Sequence, residues 1–151
     1  MTMDAETIFI DTNILVYATD DESPFHAKSF ARLKQLMTDE IDLAISPQIV
    51  REYLVVLTRG LPPDDPARYA ALHNVKTYLE AFTLLDENKE SVARLQIIME
   101  NCAVGGKQIH DANIVAVMQS HGVKRLLTYN LDDFKKYDQW IEILGLDEVP
   151  L

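Results

Sequence analysis

The apolar positions along the chain change period several times, and each change marks an element. Thr7–Asp11 is a short β-branched and aromatic run that predicts a buried strand. From Pro24 to Asp39 the apolar residues Phe25, Phe30, Leu33, Leu36 and Met37 fall at helical spacing. Asp42–Ile45 predicts a second strand. Ser46-Pro47 then opens a helix, since Ser is a favoured N-cap and Pro is tolerated at the first helical position. That helix runs to about Thr58 and stops near Gly60. Pro66–Glu80 predicts a helix and Ala81–Leu85 a strand. Asn88–Val104 is the clearest amphipathic helix, closed by Gly105-Gly106. A helix from about Ile109 to Ser120 ends at Gly122, and Arg125–Thr128 and Trp140–Leu144 are the last strands. Strands alternating with helices predict an α/β chain whose parallel sheet is covered on both faces. In such sheets ligands bind beyond the carboxyl ends of the strands, where strand order reverses.

Composition narrows the class. The chain has 151 residues, 48% hydrophobic and 25% charged, enough for a core and the usual size of one domain. No linker, repeat or low-complexity stretch interrupts it, so residues 1–151 are expected to form a single domain. No apolar run approaches the roughly 20 residues needed to span a bilayer, so no membrane partner is expected. The start, Met1-Thr2-Met3-Asp4-Ala5-Glu6, is acidic where a signal peptide would be basic, and a cytoplasmic location follows by default. Cys102 is alone and reads as a buried core thiol on the apolar side of its helix, with Val92, Leu95 and Met99. The net charge of −10 counts against nucleic acid as a partner unless some acids cluster to bind cations.

The positions of four acidic segments bear on that question. Asp11 ends the first strand, after Ile8-Phe9-Ile10, where it can equally cap a following helix. Glu52 lies three or four positions from Ile49, Val55 and Val56 on its helix. A carboxylate beside an apolar stripe is costly unless paired, protonated or metal-bound; the alternatives are a place at the stripe's edge or a pair with Arg51 or Arg59. Asp111 opens its helix with Ile114 and Val115 at i+3 and i+4, so it points toward the buried side. The strand Leu126-Leu127-Thr128 runs into the turn Asn130-Leu131-Asp132-Asp133 before Phe134. Two strand ends and two helices can thus bring one acid each to the same rim. Two carboxylates about 5 Å apart repel by roughly 3 kcal/mol at an effective dielectric near 20. A cluster therefore raises its pKa values or demands a cation, and oxygen-only ligands select Mg²⁺ or Mn²⁺.

With these segments in view, the chain resembles the PIN-domain nucleases, and within them the VapC-like toxins of toxin–antitoxin pairs. The resemblance rests on four pieces in order: Phe9–Leu15, Ser46–Tyr53, Ile109–Ile114 and Leu127–Phe134. It implies a three-layer α/β/α domain with a five-stranded parallel sheet and Mg²⁺- or Mn²⁺-dependent cleavage of RNA. It also implies a homodimer and a cognate antitoxin that enters the active-site groove. Asp11, Glu52 and Asp111 would be the core metal-binding and catalytic acids. Thr12 and Asn13 would steady the first strand end and Thr128 would orient the last. Many relatives carry Asp two residues after that Thr, where this chain has Asn130, a neutral oxygen donor. Asp133 is the preferred fourth acid and Asp132 the weaker candidate.

Other residues carry less. His110 adjoins Asp111 but reads more simply as a surface or capping residue, and His26, His73 and His121 have no partners at ligand spacing. Lys107, Arg125, Lys135 and Lys136 flank the last two acidic segments and could contact phosphates, or be solvated surface charge. Trp140 reads as a core residue of the last strand. Two further functions stay open: a PIN-domain nuclease that is not a toxin, and a non-catalytic binding module whose acids are caps and surface charges.

Overall fold

The computed structural model describes residues 6–147, so the acidic start up to Ala5 lies outside the described residues. Five strands form one sheet: β1 (Ile8–Ile10), β2 (Leu43–Ile45), β3 (Thr83–Leu84), β4 (Arg125–Leu127) and β5 (Glu142–Leu144). Their order is β3-β2-β1-β4-β5, with every neighbouring pair parallel. Strands covered on both faces carry continuous apolar runs rather than alternation. Ile-Phe-Ile in β1 and Leu-Ala-Ile in β2 are buried throughout. The helices are α1 (Thr12–Thr19), α2 (His26–Thr38), α3 (Pro47–Thr58), α4 (Pro66–Ala81), α5 (Lys89–Asn101), α6 (Gln108–Ser120) and α7 (Leu131–Phe134); a 3₁₀ turn, Lys135–Tyr137, follows α7. α1 packs on α2 and α3, and α3 on α4, while α5 packs on α6. This is the expected three-layer α/β/α arrangement around a five-stranded parallel sheet.

The strand order positions the site. The chain steps outward from β1 to β2 to β3, then returns to lay β4 on the other side of β1. That reversal opens a crevice between the carboxyl ends of β1 and β4. Asp11 and Thr128 are the first residues beyond those two ends, and the Asp11 amide still donates to the Leu127 carbonyl at 3.0 Å.

Several elements differ from expectation. α1 follows Asp11 without a loop, in a run (Thr12-Asn13-Ile14-Leu15-Val16) whose β-branched residues favour strand locally. Burial of Ile14, Leu15 and Ala18 overrides that preference. α2 buries Leu33 and Leu36, whereas Phe25, Phe30 and Met37 stay largely exposed. α5 buries Ser91 and Ile98 and packs Leu95 against the core, but leaves Val92 64% exposed and Met99 38% exposed, so only Leu95 of the Val92-Leu95-Met99 stripe faces the core. Cys102 is the C-cap of α5 and packs against the core, but it is half-buried and not the fully buried thiol expected. Trp140 is half-buried in the turn before β5, its ring 6.4 Å from Tyr137, and is no part of the strand. Ser46 does occupy the N-cap of α3, but its buried hydroxyl makes no capping hydrogen bond.

Candidate active site

Asp11 leaves β1 in extended conformation and caps α1, its Oδ1 accepting from the Thr12 amide at 2.7 Å. Its Oδ2 accepts from the Thr128 hydroxyl at 2.7 Å, across the crevice between β1 and β4. Capping and site membership, read as alternatives, hold together. The carboxyl is only 5% exposed. Burial, the largest cause, lifts its pKa from 3.8 to about 6 against the two hydrogen bonds, with Asp111 and Glu52 adding repulsion.

Glu52 stands on the second turn of α3 and is half-buried. Its Oε2 accepts from the Thr12 hydroxyl at 2.7 Å and its Oε1 from the Gln48 amide at 2.8 Å. Neither Arg51 nor Arg59 pairs with it; Arg51 instead lies 3.7 Å from Glu87. Val55 and Val56 are exposed, so Glu52 sits at the edge of the stripe, facing the cleft.

Asp111 is half-buried on the first turn of α6. Burial lifts its carboxyl to about 6, followed by repulsion from Asp133 and then Glu52, while Lys136 and His110 pull it down. The short helix α7 explains why Asp133 acts on this group. Neighbouring helical residues project about 100° apart, so Asp132 and Asp133 cannot share a face. Asp132 lies with Lys124, Lys135 and Trp140 in a separate depression. Asn130 lines the main cleft and its amide donates to the Thr128 hydroxyl at 2.9 Å. Asn13 accepts from the Tyr129 amide at 3.3 Å, tying the starts of the segments after β1 and β4 together.

These groups face a cleft of about 730 Å³ lined by Asp11, Thr12, Asn13, Gln48, Glu52, Asp111 and Asn130, with Arg51, Arg59 and His110 beside them and an apolar wall of Val16, Tyr17, Val55 and Val56. Among the described residues no three His, Cys, Asp or Glu side chains form a ready-made metal cage. All four oxygens of Asp11 and Glu52 are turned to hydrogen-bond donors. Each oxygen keeps a second lone pair. These bonds therefore orient the acids and leave them able to accept a hard cation, and the mutual repulsion of Asp11, Glu52 and Asp111 fits a site that takes one.

The basic candidates separate. Lys136 acts on Asp111. Arg125 begins β4, at the opposite end of the sheet, and its Nε lies 3.3 Å from Glu142. Lys135 lines the other depression and Lys107 is exposed before α6. Three polar residues of the site carry no signal of their own in the sequence: Gln48, Asn113 and Glu87. Gln48 is 3% exposed, and Asn113 donates to both Gln48 (2.7 Å) and Glu87 (2.9 Å).

The profile of the PIN domain matches residues 8–139, nearly the whole described chain. The chain belongs to the PIN domain family. No curated protein matches it. Among solved structures, this PIN chain is similar to a DNA-bound VapBC from Salmonella typhimurium, at 18% identity over 93% of this chain and 98% of that one, with a TM-score of 0.70. It is similar to VapBC2 from Rickettsia felis bound to a promoter DNA fragment, at 16% identity, 92% and 98% coverage and a TM-score of 0.69. A third is VapC20 of Mycobacterium tuberculosis, described as a toxin cleaving the sarcin–ricin loop, at 15% identity, 85% and 94% coverage and a TM-score of 0.65. At these identities the likeness establishes the PIN fold.

Proposed function

We propose that this PIN-domain chain is a Mg²⁺- or Mn²⁺-dependent endoribonuclease acting as the toxin of a toxin–antitoxin pair. The observation that carries the reading is the meeting of Asp11, Glu52 and Asp111 in one cleft at the switch point of the sheet, where Asp111 and Glu52 raise the proton affinity of Asp11 and Glu52 raises that of Asp111. An all-oxygen donor set suits a hard divalent ion. Asp11, Glu52 and Asp111 would hold it, with Asp133 as the fourth acid. Such an ion, when bound, activates water and stabilises charge during displacement at phosphorus. The chain's own residues hold the acids in place: Thr128 and Thr12 for Asp11, Thr12 and Gln48 for Glu52. Arg51 and Arg59 on the cleft wall, with Lys136 near Asp111, would meet the phosphates, which answers the objection from net charge.

The VapBC complexes among the structural relatives support a cognate antitoxin as partner, and the toxin relative supports a cleaving role. The apolar wall of Val16, Tyr17, Val55 and Val56 is a surface such a partner would cover. A homodimer and a cytoplasmic setting complete the reading. The purified chain is expected to cut RNA with Mn²⁺ or Mg²⁺ and stop with chelator. Asp11→Asn should lower the rate by more than the ~10–100-fold typical of residues behind the ligands. Expression without a partner should arrest growth, and Asp111→Asn should relieve the arrest; cleavage without arrest would leave a nuclease that is not a toxin. Asp11→Asn cutting RNA like the wild type would contradict the proposal.

A further inference from the structure

Gln48 is a nearly fully buried amide, 3% exposed, on the first turn of α3. One N–H donates to Glu52 Oε1 at 2.8 Å, one turn further along the same helix. The other donates to the His110 carbonyl at 2.8 Å, the residue immediately before Asp111 on α6. Its Oε1 accepts from Asn113 Nδ2 at 2.7 Å, and the second N–H of that nitrogen reaches Glu87 Oε1 at 2.9 Å. Both N–H donors of the Gln48 side chain and its oxygen are therefore engaged. Its orientation is forced as well: turned over, its oxygen would face a carboxylate and a carbonyl, and its NH₂ would face that of Asn113. The two amides form a neutral bridge between two carboxylates, Glu52 and Glu87, and Arg51 lies 3.7 Å from the far one.

This bridge spans the two helices that carry Glu52 and Asp111. α3 and α6 share little direct packing, in contrast to α5 with α6 or α3 with α4. A side chain bonded to both helices at the positions of the acids then governs how Glu52 stands relative to Asp111. We propose that Gln48, held by Asn113, is the positioning residue that sets the spacing of Glu52 and Asp111. Its effect is exerted through Glu52 and the first turn of α6, not by contact with substrate. The inference rests on the nuclease reading above for its consequence in catalysis, but not for its structural content.

The test uses the full chain, Mn²⁺ and an RNA oligonucleotide, with Gln48→Leu (similar size, no polar atoms) and Gln48→Glu (an acceptor kept for Asn113, both donors lost, a charge added beside Glu52). Loss of an outer-shell partner typically costs ~10–100-fold in metal affinity or activity. Gln48→Leu should lower kcat within about that range and raise the half-saturating Mn²⁺ concentration by about tenfold. KM for RNA should change by less than about twofold, because uniform substrate binding is untouched. Gln48→Glu should lose more than Gln48→Leu. In a Glu52→Gln background, Gln48→Leu should add little further loss, since residues acting through one group are not additive. If Gln48→Leu fails to fold, Asn113→Ala, which keeps Gln48 but frees its orientation, should shift kcat and Mn²⁺ requirement in the same direction. A wild type that cuts RNA while Gln48→Leu keeps its kcat and Mn²⁺ requirement overturns this inference alone. A wild type that does not cut RNA overturns the nuclease reading, and hydrogen exchange then decides the inference. Faster exchange at residues 108–113 in Gln48→Leu supports it, and unchanged exchange there overturns it.

Discussion

The Asp11 carboxyl couples stability to pH in a direction opposite to most acids. Its folded pKa of about 6 lies above the ordinary 3.8, so the folded state takes up the proton more readily than the unfolded chain. Its contribution is therefore fully present below about pH 4 and is lost as pH rises through 6. A shift of about two units corresponds to roughly 3 kcal/mol at this buried group. In chelator, Asp11→Asn should gain stability relative to the wild type between pH 4.5 and 7.5, read as a growing difference in denaturant midpoints. A difference that does not change with pH would count against the assignment. The acids themselves were legible from local features: Asp11 ends a strand, Asp111 stands on the first turn of a helix, and Glu52 lies beside an apolar stripe on α3. Gln48, Asn113 and Glu87 were not. Their roles come from pairings such as Asn113 to Gln48, 65 positions apart, which no local spacing expresses. Asp133 was preferred over Asp132 through resemblance alone, and the helical turn of α7 that places Asp133 near Asp111 and Asp132 in another depression had no local sign.

Helix α5 shows how a periodic pattern can find a core face only in part. Val92, Leu95 and Met99 form a stripe at helical spacing, but the folded helix buries Ile98 and Ser91, packs Leu95 against the core and leaves Val92 and Met99 exposed. The helix carries apolar residues on more than one face, and only its neighbour decides which is the core. Ile98→Ala should cost about 2–5 kcal/mol by urea unfolding, a usual loss for a buried aliphatic side chain. Val92→Ala should stay within about 0.5 kcal/mol. Equal losses would restore the stripe as the core face. α1 was hidden for a related reason. Its β-branched start continues the character of β1, and the turn into helix is made by Asp11 and by burial rather than by a Gly or Pro break. The buried middle of α6, from Ile114 to Met118, was legible because a continuous apolar run admits no other face.

The order of the strands, more than any one motif, brings the acids together. Alternation of strands and helices predicted a parallel sheet, but not that β4 would return beside β1 and put Thr128 opposite Asp11. The four acidic segments imply that arrangement only through their resemblance to a family, which the PIN match from 8 to 139 bears out. The charge of the chain is organised by the same topology. A protein of net charge −10 places Arg51 and Arg59 on the wall of the cleft that holds its acids. Arg59→Ala should weaken RNA binding and make it less sensitive to salt, by about one unit of log–log slope if one phosphate contact is lost. An unchanged slope would remove Arg59 from the substrate path. The central claim is that Asp11, Glu52 and Asp111 share a divalent cation, and calorimetric titration of the purified chain with Mn²⁺ tests it most directly. The wild type should bind Mn²⁺ more tightly at pH 7.5 than at pH 5.5, where protons compete for Asp11 and Asp111, and Asp111→Asn should weaken binding at least about tenfold. Wild-type and Asp111→Asn proteins with the same affinity, or no binding by either, would contradict it.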